Sequence, residues 1–180
     1  MSLLINAQGL SKCYSAKPLF EGLSLSIHEK EKIALVGGNG VGKSTLLKIL
    51  SKQVKPDDGL VVHKSHLKVA IVNQVKRFDE QLTVRDACYD YAVKCGISED
   101  EAHVTASIQL SLAGFTDENV RISALSGGWK KRLSIACSLI GDPDLVFFDE
   151  PTNHLDLDGV LWLQDLMNSS RFSWVTISHD

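Results

Sequence analysis

Residues 37–44 read Gly-Gly-Asn-Gly-Val-Gly-Lys-Ser, and few octapeptides restrict a fold so tightly. They fit the spacing G-x-x-x-x-G-K-[ST]. An apolar run, Ile33–Val36, precedes them, and a leucine-rich stretch follows. Glycines let the backbone curl so that successive N–H groups converge, and a helix starting there adds a partial positive charge. The pattern predicts an anion cradle between a strand and a helix, suited to phosphate oxygens. Gly37, Gly38, Asn39, Gly40, Val41 and Gly42 form the loop, and Lys43 neutralises the β- and γ-phosphates. The Ser44 hydroxyl is placed to ligate Mg2+, with Thr45 next on the helix.

The rest of the chain suits an α/β core. Short runs rich in Val, Ile and Leu predict strands over Leu23–Ile27, Ile33–Val36, Val69–Val72, Leu145–Phe148 and Trp174–Ile177. Three of these lack alternation, which fits strands covered on both faces. Helices fall between them. Val41–Leu50 follows the glycine turn, and Val84, Ala87, Cys88, Tyr91 and Ala92 keep amphipathic spacing. Ser98-x-x-Glu101 has the form of a capping box, after which Val104, Ile108 and Leu112 share one helix face. Trp129, Leu133, Ala136, Cys137 and Ile140 mark a further face. The expected fold is a mostly parallel sheet flanked by helices, with an antiparallel N-terminal β part. A helical subdomain is inserted over about 75–140, including a helical block at about 83–115.

Composition narrows the partners. With 44% hydrophobic residues the chain is too apolar to be disordered. No apolar run approaches the roughly 20 residues that span a bilayer, and the N-terminus lacks the form of a signal peptide. The four cysteines (13, 88, 95 and 137) sit at unrelated spacings, without a zinc pattern or disulfide framework, which fits reduced thiols in the cytoplasm. Residues 1–77 hold 12 basic and 5 acidic side chains, a balance of +7, whereas residues 78–180 hold 7 and 17, a balance of −10. A basic half meets the phosphates of a nucleotide or a nucleic acid, or is simply a solvated surface.

Two further motifs bear on chemistry. Leu145–Phe148 runs into Asp149 and Glu150. Ligands of a parallel sheet sit at the C-terminal ends of its strands. There Asp149 holds Mg2+, and Glu150 orients or deprotonates an attacking water. Leu125-Ser126-Gly127-Gly128 precedes the helix of Trp129. It reads either as a capped helix start or as a second anion site.

A phosphate loop, then Leu-Ser-Gly-Gly, then an apolar strand with Asp-Glu-Pro-Thr, then Ser-His-Asp resembles an ATP-binding cassette (ABC) domain across nearly the whole chain. The resemblance implies ATP and Mg2+ as cofactors and ATP hydrolysis as the activity. It implies that Ser126, Gly127 and Gly128 form a signature motif touching a γ-phosphate bound to another cassette. It likens Gln74 to the Q-loop glutamine near Mg2+ and the water, and His179 to the switch histidine on the γ-phosphate. Tyr14 is similar to the aromatic that stacks on adenine, and Asp156 to the D-loop aspartate. Trp129-Lys130-Lys131-Arg132 and Asn153-His154 depart from transporter cassettes and look like the soluble ABC-F family, with Lys17-Pro18-Leu19-Phe20 similar to its Uup-like branch. That family carries two cassettes and no membrane domain, and its studied members act on the ribosome. The implied partners are a second cassette and ribosome or RNA. The alternatives are the ATPase subunit of a membrane transporter and a chromosome-maintenance ATPase, whose long coiled coil has no counterpart heptad run here. The stretch from Gln74 to Leu125 lacks the long charged arm of some members. Residues 1–180 read as one amino-terminal cassette, cut after Asp180.

Overall fold

The computed structural model describes residues 2–14, 17–72 and 78–178. They divide into two compact units.

The first unit comprises Met1–Ile71, Asp144–Pro151 and Arg171–Asp180. Among the described residues it contains two sheets and one helix. Strands β1 (Leu3–Cys13), β2 (Pro18–His28) and β4 (Asp58–His63) form an antiparallel sheet in the order β2-β1-β4. Strands β3 (Lys32–Val36), β5 (Val69–Val72), β6 (Leu145–Asp149) and β7 (Ser173–Ser178) form a second sheet in the order β3-β7-β6-β5. In it β7 runs parallel to both β3 and β6. Every residue of β6 from Leu145 to Phe148 is buried, which matches its unbroken apolar run. Helix α1 (Lys43–Leu50) buries Leu46, Leu47, Ile49 and Leu50 in one core with Leu4, Ile5, Leu10, Phe147 and Ile177. Each such side chain contributes roughly 1.5–3 kcal/mol by leaving water, so the helix behind the glycine loop is firmly seated.

Two strands leave no clear apolar signal. In β1 the buried residues are Leu4, Ile5, Ala7 and Leu10, and the register with β2 shifts between Ala7 and Leu10. That bulge breaks the period of two on which strand recognition rests. Strand β4 lies at a sheet edge with Leu60 and Val62 exposed, so its alternation is inverted relative to a buried face.

The second unit comprises Val72–Pro143 and Thr152–Ser170. It holds α2 (Val84–Lys94), α3 (Glu99–Leu112), a short 3-10 turn at Ile122–Ala124, α4 (Gly127–Leu139) and α5 (Leu157–Ser169). Val84, Ala87, Cys88 and Ala92 of α2 pack with Leu133, Cys137 and Ile140 around α4. Two thiols meet inside this core: Cys88 Sγ and Cys137 Sγ lie 3.4 Å apart, both fully buried.

Helix α3 departs from expectation in two ways. Val104, Ile108 and Leu112 do share a face, but it is the solvent face, between 53% and 61% exposed. The core side is Ala102, Ala106 and Leu110, and the two alanines permit close packing. Ser98 does not cap the helix backbone; its hydroxyl donates to Glu101 Oε2 at 3.1 Å. The capping box of this unit is at α2. There Thr83 Oγ1 accepts from the Asp86 N–H at 3.1 Å, and Asp86 Oδ2 accepts from the Thr83 N–H at 3.3 Å.

Candidate nucleotide-binding site

Strand β3 ends at Val36, and the chain turns through residues 37–42 into α1. Gly42 is the helix N-cap, at φ 98°. A Cβ there would lie 3.1 Å from Leu19 Cβ and 3.3 Å from Phe20 Cδ1, so both backbone and space demand glycine. A glycine cap has no side chain for the first-turn N–H groups, and that turn holds no acid. Those donors stay available to an anion. The Lys43 ammonium folds back across the loop, donating to the Gly37 carbonyl at 2.6 Å and the Gly38 carbonyl at 2.9 Å.

Asp149 is the last residue of β6, and Ser44 lies on the first turn of α1. The Ser44 hydroxyl donates to Asp149 Oδ1 at 3.1 Å, joining groups 105 positions apart. Neighbouring ligands on an octahedral Mg2+ with bonds of 2.0–2.1 Å sit about 2.9 Å apart. The two oxygens, 3.1 Å apart, stand close to that separation. Among the described residues no group of three or more His, Cys, Asp or Glu could hold a metal ion by itself. A hydroxyl and one carboxylate suit a cation whose other ligands are phosphate oxygens and water.

Glu150 follows at φ 48°, a left-handed conformation that strains a residue with a side chain. Together with Tyr14, Asn39, Gly40, Lys43, Ser44 and Thr45 it lines a cavity of about 670 Å³. That size is ordinary for a small-molecule site. Leu19 also lines it, a contact that no motif announces. Tyr14 is 65% exposed, and the Lys12 ammonium lies 5.3 Å from its ring centroid. Lys12 is itself pinned by Asp57 Oδ1 at 2.6 Å and the Lys55 carbonyl at 3.0 Å. The Lys12 hydrogen bond, followed by one from the Cys13 N–H, lowers the Asp57 pKa from its ordinary value.

Ser126, Gly127, Gly128 and Asp156 lie in the second unit. Ser126 is the N-cap of α4, its Oγ accepting from the Trp129 N–H at 3.4 Å. A Cβ on Gly128 would lie 3.0 Å from the His154 carbonyl, so the 152–156 turn comes close to the glycine pair. Asp156 caps α5, with Oδ1 accepting from the Gly159 N–H at 2.8 Å. Gln74 and His179 lie outside the described residues. The structure thus gathers Tyr14, Asn39, Gly40, Gly42, Lys43, Ser44, Thr45 and Glu150 on one cavity, with Asp149 bonded to its Ser44. It places Gly128 beside the turn that leads to Asp156.

Residues 20–153 match the family model described as ABC transporter. The chain is 38% identical to the ATP-binding protein Uup of Caulobacter vibrioides, with 92% of this chain and 26% of that protein covered. It is 30% identical to Uup of Escherichia coli, covering 98% of this chain and 33% of that one. The chain thus spans about a third or less of the curated relatives it matches. Among solved structures it is similar to cbiO1 from Clostridium perfringens, part of the ABC transporter complex cbiONQ. That match has TM-score 0.85 and 26% identity, over 100% of this chain and 80% of that one. A dimeric ATP-binding cassette in a post-hydrolysis state with ADP and Pi shares the fold at TM-score 0.82 and 24% identity, over 98% and 88%. No helix among the described residues is long and apolar enough to cross a membrane. A phosphate loop over a serine–aspartate pair, inside a matched stretch covering most of the chain, leads to one conclusion: the chain belongs to the ABC family of ATPase domains, and within it resembles the Uup proteins.

Proposed function

We propose that this chain is the ATP-binding and ATP-hydrolysing cassette of a cytoplasmic ABC-F protein, a nucleotide-driven switch acting on the ribosome. Residues 1–180 form one cassette in this reading, and about 75–140 its helical subdomain. The observation that carries the enzymatic part is the Ser44–Asp149 contact beneath the phosphate loop. Loop N–H groups and Lys43 bind the triphosphate, and Tyr14 stacks on the base. Ser44, Asp149 and Gln74 would hold Mg2+. When bound, the ion neutralises charge on the phosphates being separated. Glu150 orients the attacking water and accepts its proton, while His179 contacts the γ-phosphate. Ser126, Gly127 and Gly128 complete the site of a second cassette, on this polypeptide or on a head-to-tail partner, and Asp156 communicates between the sites.

Lys43→Ala tests the nucleotide reading. Loss of a charge-assisted contact costs roughly 1.5–3 kcal/mol, so a fluorescent ATP analogue should bind at least about tenfold more weakly. Unchanged affinity overturns the assignment. The ribosomal reading draws on the likeness to Uup and to ABC transporter F family member 5 of Arabidopsis thaliana, and on the basic first half of the chain. Sedimentation of the intact protein with ribosomes, with and without ATP, tests it. The likeness to cbiO1 favours a second reading, the ATPase subunit of a transporter. Co-purification with a membrane subunit in place of ribosomes selects it.

A further inference from the structure

Arg132 lies on α4, one turn beyond the signature motif. Its guanidinium carbon sits 4.7 Å from the ring centroid of Trp129 and 5.2 Å from that of Trp162, so one planar cation contacts two indoles. Trp129 also meets Phe115 edge-on, with centroids 4.9 Å apart and planes at 62°. Trp162 is anchored from the other side, its Nε1–H donating to the Leu112 carbonyl at 2.9 Å. The stack therefore joins the end of α3, the start of α4 and the middle of α5. The turn between α3 and α4 is shaped around it. Gly114 has φ +86°, and a Cβ there would lie 3.3 Å from Arg132 Nη1. A side chain at 114 would be strained and would crowd the guanidinium.

The stack acts on the motif through one residue. Trp129 supplies the N–H that Ser126 Oγ caps, and at 3.4 Å that bond is longer than the usual 2.7–3.2 Å. So weak a cap does not by itself hold the serine, whose position follows wherever residue 129 is fixed. Arginine suits the task because its face is flat and weakly hydrated, and it stacks on aromatic rings while remaining charged. Lys130, two positions earlier, is engaged instead by Glu80 Oε1 at 2.7 Å.

We propose that Arg132 is a positioning residue: clamped between Trp129 and Trp162, it sets the first turn of α4 so that Ser126, Gly127 and Gly128 meet a γ-phosphate held by another cassette. This rests on the reading of Leu125–Gly128 as a signature motif working in trans. Binding of ATP to the phosphate loop does not pass through the stack, whereas completion of the partner site does. The variants therefore separate kcat from KM.

The test is steady-state ATP hydrolysis by the intact protein, with ATP affinity measured independently by a fluorescent analogue. In Arg132→Ala and in Trp162→Phe, which keeps most of the ring volume but lacks the N–H, kcat falls at least about fivefold. KM and ATP affinity stay within about twofold, and thermal melting shows the variants folded. Arg132→Lys restores part of the rate, because charge remains without the flat face. Arg85→Ala, which removes a surface pair with Glu118, leaves kcat unchanged. Folded variants with parental kcat overturn the proposal. So does a parallel loss of ATP affinity, which marks general damage. Ser126→Ala separates the two layers of the argument. If it lowers kcat while the Arg132 and Trp162 variants do not, only the positioning role fails. If Ser126→Ala itself is silent, the signature reading fails and the positioning role falls with it.

Discussion

Glu150 spends its backbone strain at the point where chemistry is proposed. Continuing β6 by one more extended residue would have turned this side chain to the face opposite Asp149. The left-handed φ of 48° breaks that alternation, and Glu150 lines the same cavity as Lys43 and Ser44. A carboxylate needed only for packing would not require such a conformation. Glu150→Gln is therefore expected to keep ATP and Mg2+ binding, since Asp149 and Ser44 remain, while kcat falls about 10²–10⁴-fold. Equilibrium nucleotide binding beside steady-state turnover checks this, and parental turnover removes Glu150 from the mechanism. At this scale the primary structure was legible where residues act within one short run. Gly42, Lys43 and Ser44 are spaced by local geometry, so their order alone reveals the loop. Arg132 and Trp162 were not legible, because thirty positions separate them and only the packing of α3, α4 and α5 makes them a pair.

Elements were readable where burial follows a simple period. Strand β6 shows its burial in its composition, and α2 keeps four of its five expected face residues buried, with Tyr91 half-buried. Helix α3 misled, because alanines at 102 and 106 form its core face while larger aliphatics point outward. Hydrophobicity ranks those faces in the wrong order; what decides is how near the neighbouring helices come. Strand β4 was silent as an apolar run, yet it makes one contact of consequence for the loop helix. His63, at its end, donates Nε2–H to the Leu50 carbonyl at 2.7 Å, holding the last turn of α1. Burial lowers the His63 pKa; the Leu50 bond opposes this and the charge of Lys52 adds to it. A histidine harder to protonate when folded makes the unfolded state the better proton acceptor. Stability should thus be fully present above the unfolded value of about 6.5 and decline as pH falls from there toward the lower folded value. Urea unfolding at several pH values checks the direction, and His63→Gln should flatten the slope in that window.

For the molecule as a whole, the phosphate loop and the Leu-Ser-Gly-Gly motif fall in different compact units. If the motif works in trans, one cassette offers two half-sites, and γ-phosphate donors arrive only with a second cassette. Residues 1–180 alone should accordingly bind ATP weakly, and their hydrolysis per molecule should rise with protein concentration; a specific activity independent of dilution, at the rate of the intact protein, contradicts the composite site. The two-unit layout also gives the chain a chemical clock. Cys13 and Cys95 stand at the surface, while Cys88 and Cys137 touch inside the helical core. A thiol reagent in excess should consume two sulfhydryls on mixing, and the other two only as fast as that core opens. Adding nucleotide and watching which pair slows then reads the stability of the helical unit that carries Leu125–Gly128. Four sulfhydryls reacting in one fast phase would mean that the helical unit breathes on the timescale of the reagent.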